Sequence, residues 1–525
     1  MKKAMILSLL VFLSLSSTLL AGDWIDSQVT FKFSDDNIFE TSRRSNSPRF
    51  GDTNTQLFNE GLNTYKTGDE TESQLVVYKK FDGFIEGLTT ESAFVFNLSV
   101  FNNETGDLLT KLKEDGSYVR IQYKMGDSKF SILAFPYNSD RFLLGWTYDL
   151  SWGGQSMWPK SKINKKTPVP GIKFSWTSEM AGLFLGFKTR SFNTNLIEEG
   201  PNGLETKDTI STTWGILSGA YLDLADMIKL DVHAGLFDKG TNPLQSRNDV
   251  DLDKENVFGH RIYAKGISGR LSYRYNTTLS VSDVMKVYRN IDPRDDLKDI
   301  AKKDDAKKTE NKDLGSGLGF VASFEGVYLT EQLRDADNRD NLIDFNGWAT
   351  DLKFRVSSGS FKVNMDFIMR NPQFLLFNVP GLTAFESITS NSKLTTEKMF
   401  SIGGEYTLME HLTLGFLYGY KMPASYKGEG SDSIIVIKDR EDQSSFTGGL
   451  TKNKVRLPSD VDVKPITSLK FSIFYELSKG TEVSGELSYL IDQNDSTVDE
   501  ESKRVIRSDS ETKKLGFAIY LRSRF

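Results

Sequence analysis

Apolar and polar residues trade places at every second position through much of this chain, the period of a strand with two unlike faces. Phe142, Leu144, Trp146, Tyr148, Leu150 and Trp152 share one parity across residues 140–153, which predicts a single tilted strand about a membrane thickness long. Residues 24–34 place Val29, Phe31 and Phe33 on one face, and residues 75–84, 89–101 and 130–135 and the row Val119, Ile121, Tyr123 read as further strands. Four strand pairs then follow on tight turns: 214–222 into 228–237, 348–356 into 361–369, 400–408 into 412–420, and 469–477 into 483–491. Each pair keeps its apolar parity on both arms, and turns this short fix register. Long polar segments separate them, at 191–208, 239–256, 372–397, 421–464 and 492–513. Residues 257–290 fit two or three strands, and the charged run 291–315 fits none.

The chain ends on one more alternating stretch. Leu515, Phe517, Ile519, Leu521, Ser523 and Phe525 form one face, and Gly516, Ala518, Tyr520, Arg522 and Arg524 the other. This resembles the closing strand of bacterial outer-membrane β-barrels of Gram-negative cells, porin-like in architecture. The resemblance implies that Phe525 is an assembly signal read by the barrel assembly machinery, and that the partners include outer-membrane lipid and lipopolysaccharide. Homo-oligomers are common in that class. Short turns alternating with long loops match its asymmetry, short on the periplasmic side and long outside. The expected fold is therefore all-β: a closed antiparallel transmembrane β-barrel of about eighteen strands, within a range of sixteen to twenty.

Composition narrows the picture. Residues 1–21 carry Lys2 and Lys3, then an apolar run, then small residues before Ala21 and Gly22, the layout of a secretory signal peptide. Residues 22–525 are then the barrel, with 35–71 either a long surface loop or a plug entering the lumen. There is no Cys, so no disulfide framework exists to reason from. No apolar run after Gly22 is long enough for a spanning helix, and a negative mean hydropathy is what barrel strands give when their lipid face hides in alternate residues. With 65 basic against 71 acidic residues, the chain lacks the basic balance expected of a nucleic-acid partner. Trp176, Trp214, Trp348, Tyr273, Tyr418, Tyr475 and Tyr489, like the aromatics of 140–153, suit the two interfacial girdles.

If one face meets lipid, the alternate residues line the interior: Arg270, Arg274, Lys353, Arg355, Lys362, Asp366, Arg370, Glu405, Lys470, Glu476 and Glu486. Both signs occur, so this parity alone sets no charge preference. Residues 374–385, with Phe374, Leu375, Leu376, Phe377 and Phe385, are too apolar for a solvated loop. They fold into the barrel mouth as a constriction, dock an apolar ligand there, or pack as a short helix or strand on a neighbouring loop. Asp249, Asp251, Asp253 and Glu255 alternate, but Lys254 and His260 stand where a helix-loop-helix calcium site needs Gly and Glu. Lys160, Lys162, Lys165 and Lys166 form a basic loop able to touch lipopolysaccharide phosphates. His233, His260 and His411 have no nucleophile motif beside them, and no cofactor fingerprint is present, so no enzymatic activity, cofactor or metal is expected. The expected function is passage of small solutes through a polar lumen in the cell outer membrane. The alternatives are facilitated transport of an apolar compound, and a structural or adhesive barrel with a closed lumen.

Overall fold

The computed structural model describes residues 26–35, 71–102, 108–114, 117–137, 139, 142–147, 150, 152–153, 169–200, 203–224, 227–241, 261–276, 318–338, 341–378, 387–428, 433–436, 454–457, 461–478, 480–494, 496–498, 505–507 and 513–524. The expected leader 1–21, the interior of segment 35–71, the run 291–315, the acidic row from Asp249 to Glu255, Lys160, Lys162, Lys165, Lys166, His260, Phe385 and Phe525 lie outside the described residues.

The first strands are β1 (Asp26–Asp35), β2 (Thr71–Asp82), β3 (Leu88–Asn102), β4 (Leu108–Glu114), β5 (Tyr118–Met125), β6 (Ser128–Phe135), β7 (Gly171–Thr177), β8 (Ala181–Gly200) and β9 (Gly203–Leu224). Then come β10 (Ile228–Thr241), β11 (Arg261–Tyr275), β12 (Gly319–Arg334), β13 (Leu342–Ser358), β14 (Phe361–Arg370), the helix α1 (Pro372–Asn378), β15 (Lys393–Thr395), β16 (Glu397–Met409) and β17 (Leu412–Met422). The remainder are β18 (Ala424–Lys427), β19 (Ser433–Val436), β20 (Lys454–Leu457), β21 (Ile466–Ser478), β22 (Thr481–Asp492), β23 (Ser496–Val498), β24 (Val505–Arg507) and β25 (Lys513–Arg524). Nineteen of the described strands form one antiparallel sheet in which sequence neighbours pair. The first strand is bonded along one edge to β2 and along the other to the last, β25, with Phe31 opposite both Ser73 and Leu521.

The sheet has two unlike faces. On β12 the burial alternates residue by residue: Ser323, Glu325, Val327, Leu329 and Glu331 are buried, while Phe324 and Tyr328 are about half exposed. The same row of exposed apolar side chains continues through Leu352 and Phe354, Met365 and Phe367, Phe471 and Ile473, and Ile519 and Leu521. A continuous apolar surface of this extent is not a surface for water. Trp176, Trp214, Trp348, Tyr273, Tyr418, Tyr475 and Tyr489 all fall on this apolar face, by register with those rows. No helix among the described residues is long and apolar enough to cross a membrane, which says nothing about crossing by strands.

Two sequence expectations change. Residues 140–153 are not a strand: their described part is a loop between β6 and β7, closed by a single bridge between Leu144 and Trp152. Residues 191–208 are not a loop, because β8 and β9 stay paired from Ser191 opposite Thr212 up to Gly200 opposite Gly203. That ribbon stands roughly 30 Å beyond the paired part of its neighbours. Within 257–290 the described residues hold one strand, β11. The long connections also carry structure of their own, since β15, β18, β19 and β20 make a separate four-stranded sheet beside the main one.

Strand alternation assigns the ends. The tight turns at 126–127, 359–360 and 410–411 lie at the end where β1 starts and β25 finishes. The segment 277–317 leaves and rejoins the sheet at that same end, where the Arg274 backbone amide donates to Met227 O at 2.7 Å and the Asn276 side-chain Nδ2 donates to Leu318 O at 3.2 Å. In a cysteine-free chain this is easily checked: single cysteines at Gly126 and Asn276 in oriented vesicles should react with an impermeant maleimide from one side, and a cysteine at Ser390 from the other. Labelling of Asn276 and Ser390 from a common side would contradict the topology.

Candidate functional site

The polar face gathers its charges into cross-strand rows. Asp231 on β10 stands opposite Arg270 on β11, Arg270 opposite Glu325 on β12, and Glu325 opposite Asp351 on β13. Arg270 donates to Asp231 through Nε at 3.0 Å and Nη2 at 2.8 Å. Lys353 bridges Asp351 and Asp366 at 3.6 and 3.3 Å, Lys362 meets Glu405 at 2.8 Å, and Lys470 meets Glu486 at 2.9 Å. Unlike charges set opposite or diagonal to one another are the favourable arrangement in a sheet, as in all of these cross-strand pairs except Glu325 with Asp351, which are alike in charge.

The loop of residues 139–153 folds onto this row. Its course turns at Gly145 and Gly153, both at positive φ of 89° and 76°, where other residues are strained. At its tip the amides of Trp146 and Thr147 donate to the two carboxylate oxygens of Glu325 at 3.0 and 2.9 Å, and the Thr147 hydroxyl donates to Asp351 at 2.6 Å. The Gly145 amide donates to His233 Nδ1 at 3.0 Å, and the Trp146 ring stacks on His233 at 4.0 Å between centroids with the Arg270 guanidinium 4.8 Å away. Trp152 donates from Nε1 to the Ser268 hydroxyl at 2.5 Å, and Lys188 donates to Gly153 O at 2.9 Å. Each buried loop amide left without such an acceptor would cost about 1–3 kcal/mol.

Apolar packing completes the dock. Phe142, Leu144, Leu150 and Trp152 are buried in one cluster with Leu217, Phe237, Ile262, Val327 and Leu329 of the sheet's polar face. Glycines on that face leave the room. A Cβ at Gly235 would sit 2.7 Å from Leu144 Cδ1, and one at Gly266 would sit 3.0 Å from Trp152 Cη2. The aromatics expected at a membrane girdle in 140–153 therefore serve another end: Trp146 and Trp152 face the sheet's inner side groups.

All eleven expected lining residues sit on the polar parity, but they differ in access. Arg274 and Lys362 keep about a third of their side chains exposed, whereas Asp366, Glu405 and Lys470 are buried. Arg355 is half-buried and Glu476 lies beside His411 in the turn, with a 3.8 Å contact. Arg370 is sealed with Lys421 around Glu397, at 2.6 and 3.2 Å. Above that triad lies α1. Asn371 caps it by accepting from the Phe374 amide at 2.9 Å, with Pro372 at the first helical position. Phe374, Leu375 and Leu376 are buried in one cluster with Phe345, Ala349 and Ile435, and Phe377 lies in the same helix. The residues sequence reasoning missed are Glu325, Asp351, Asp231 and Lys188 and the loop residues that use them. Inward glycines at Gly235 and Gly266 were the available signal, since nothing in a lipid-facing account requires them.

No family model and no curated protein sequence matches the chain. Among solved structures it is similar to a BenF-like porin from Pseudomonas fluorescens Pf-5, at TM-score 0.44 and 9% identity, covering 96% of this chain and 98% of that one. It is also similar to OccAB1 of Acinetobacter baumannii, at TM-score 0.43 and 9% identity, with 95% and 96% covered. The outer membrane protein opdK from Pseudomonas aeruginosa is similar at TM-score 0.41 and 8% identity, with 95% and 98% covered. At TM-scores below 0.5 these likenesses decide nothing by themselves, and the functional reading follows from the chain's own pairing, faces and loop.

The dock is testable without any transport assay. Truncating the buried indole in Trp152→Ala should loosen the loop by about 3–5 kcal/mol. A cysteine at Leu150, fully buried in the parent, should then react with a water-soluble thiol reagent on the order of a hundredfold faster or more. Equal rates in parent and variant would show that Trp152 does not hold the loop.

Proposed function

We propose that the sheet is a closed barrel in the outer membrane and that its polar face surrounds a channel for small solutes, narrowed by the loop of residues 139–153. The pairing of β1 with both β2 and β25 supports closure, since it leaves neither end strand with a free edge. Nineteen strands with β4 and β5 sharing the partner β3 make eighteen lanes. Barrels of sixteen strands or more leave an aqueous interior unless something fills it. The tight-turn end is then periplasmic and the long-loop end extracellular.

The observation that carries the channel reading is the loop's attachment to one arc of the wall. Its polar bonds go to β8, β10, β11, β12 and β13, through Lys188, His233, Ser268, Glu325 and Asp351. A passage bounded by the loop on one side and by the arc from β14 to β22 on the other would meet Lys362 and, to a lesser degree, Glu486, two of the residues expected to line a pore, with their partners Glu405 and Lys470 buried in the wall. In this reading α1 narrows the mouth from above, and Phe525 serves assembly.

Single-channel recording in a planar bilayer tests the proposal. The parent should give open, ohmic steps, and the paired change Trp146→Ala with Trp152→Ala should enlarge the unit step or make it noisy as the loop leaves the wall. Deleting residues 379–392 should also enlarge the step if α1 and its connection narrow the mouth. Silence from a correctly folded parent would reject the channel and favour a closed structural barrel.

A further inference from the structure

One short turn of the sheet is apolar at its tip. Residues 83–87, reading GFIEG, join β2 to β3 at the end where β1 starts, and they leave Phe84 fully exposed and Ile85 62% exposed. The tight turns at 126–127, 359–360 and 410–411, at that same end, are Gly-Asp, Gly-Ser and Glu-His. Hydrogen bonds fix the apolar turn. The Gly83 amide donates to Leu88 O at 2.7 Å, the Leu88 amide to Ile85 O at 3.0 Å, and the Lys124 amide of β5 to Gly87 O at 2.8 Å. Gly87 has a φ of 80°, and a Cβ there would lie 2.5 Å from Lys124 O, so the turn is held tightly against β5 with Phe84 and Ile85 clear of the protein.

The apolar face of the sheet runs straight into this turn. Val77 stands opposite the exposed Phe94, and Phe81, on the same parity as Val77, is 55% exposed. Leu88, Tyr123, Phe130 and Trp176 stand opposite one another in a single cross-strand row, an aromatic belt of the kind found where lipid meets water. Phe84 and Ile85 lie past that belt, at the level of lipid headgroups, and Met125 beside Lys124 is 67% exposed. The neighbouring charges come in order. Lys79 shares the parity of Val77 and Phe81, and its Nζ lies 5.7 Å from the Phe81 ring, so the ammonium reaches along the strand toward the turn. Asp82 and Glu86 flank the apolar pair further out, both exposed. A base nearer the hydrocarbon and acids beyond it complement a zwitterionic headgroup, whose phosphate lies inside its amine.

We propose that this turn is a phospholipid site in the periplasmic leaflet. Phe84, Ile85 and Met125 enter the boundary between headgroups and acyl chains, Lys79 meets the phosphate of a zwitterionic lipid, and Asp82 and Glu86 meet its amine. Apolar side chains at that depth hold the wall at a fixed height in the membrane. The inference rests on the membrane-barrel reading above, which puts this end in the periplasmic leaflet, and does not depend on whether the lumen conducts.

The test uses the purified full chain, which has no cysteine of its own. Single changes Phe84→Cys, Ser360→Cys and Phe324→Cys would each carry an environment-sensitive fluorophore in phosphatidylcholine vesicles containing a lipid-borne quencher. Emission at Phe84 should be blue-shifted and quenched roughly half as strongly as at Phe324 or more, with far less quenching at Ser360 on its polar turn. Exchanging phosphatidylcholine for phosphatidylglycerol, which sets anionic heads against Asp82 and Glu86, should lower the quenching at Phe84 about twofold. Water-like emission at Phe84 beside a quenched Phe324 would overturn the inference and point to a periplasmic protein as the occupant. Equal quenching at Phe84 and Ser360, or quenching indifferent to the headgroup, would overturn it too. An unquenched Phe324 would instead reject the membrane barrel itself. Heat-dependent electrophoretic mobility confirms that each variant has folded.

Discussion

A strand immersed in hydrocarbon has nowhere to send its amides and carbonyls except to another strand, so a sheet that crosses a membrane cannot afford an edge. In the closed barrel proposed above, the bonding of β1 to both β2 and β25 is the feature that meets that constraint, and the other features follow from it. A ring of strands divides space in two. Once that division exists, every second residue belongs to one solvent and its neighbours to the other, and the alternation along β12 records it: Phe324 and Tyr328 outward, Ser323, Glu325 and Val327 inward.

The inward side then has a problem of its own. The interior of a barrel of eighteen lanes, as proposed, is too wide to be filled by wall side chains alone, and charges on neighbouring strands need partners. The chain answers with neighbouring strands in register, which place Arg270 between Asp231 and Glu325 and Lys353 opposite Asp366, and with a loop that brings both polar and apolar groups inside. Part of the inner wall is apolar for that reason. Leu217, Phe237, Val327 and Leu329 would be misplaced facing water, and they are covered by Leu144 and Trp152.

Much of the wall was legible in the sequence because a period of two is a local signal. Hairpins such as β13 with β14, turning at Ser358 to Phe361, announce themselves through parity and turn length. The eleven charges expected to line an interior share the polar face by the same parity. Residues 140–153 show the limit of that reasoning. Their six alternating apolar residues have the pattern of a lipid-facing strand, yet a pattern tells only that one side wants an apolar neighbour, and an apolar patch inside the ring satisfies it equally well. Gly145 within the row, at a positive φ, breaks the extended backbone there. Residues 191–208 failed in the opposite sense: their polar composition suggested a loop, but a two-stranded ribbon beyond the neighbouring strands needs no apolar face to remain paired. Exposure of individual charges was beyond sequence reasoning altogether, since it depends on which partner lies over the other.

Division of alternate residues between two solvents is open to one direct measurement. Cysteines placed one at a time from Ala322 to Tyr328 on β12 would carry a fluorophore in reconstituted bilayers containing a lipid-borne quencher. Quenching should be strong at the even positions, Ala322, Phe324, Gly326 and Tyr328, and weak at Ser323, Glu325 and Val327 between them. Quenching without a period of two, or strongest at the odd positions, would contradict the account.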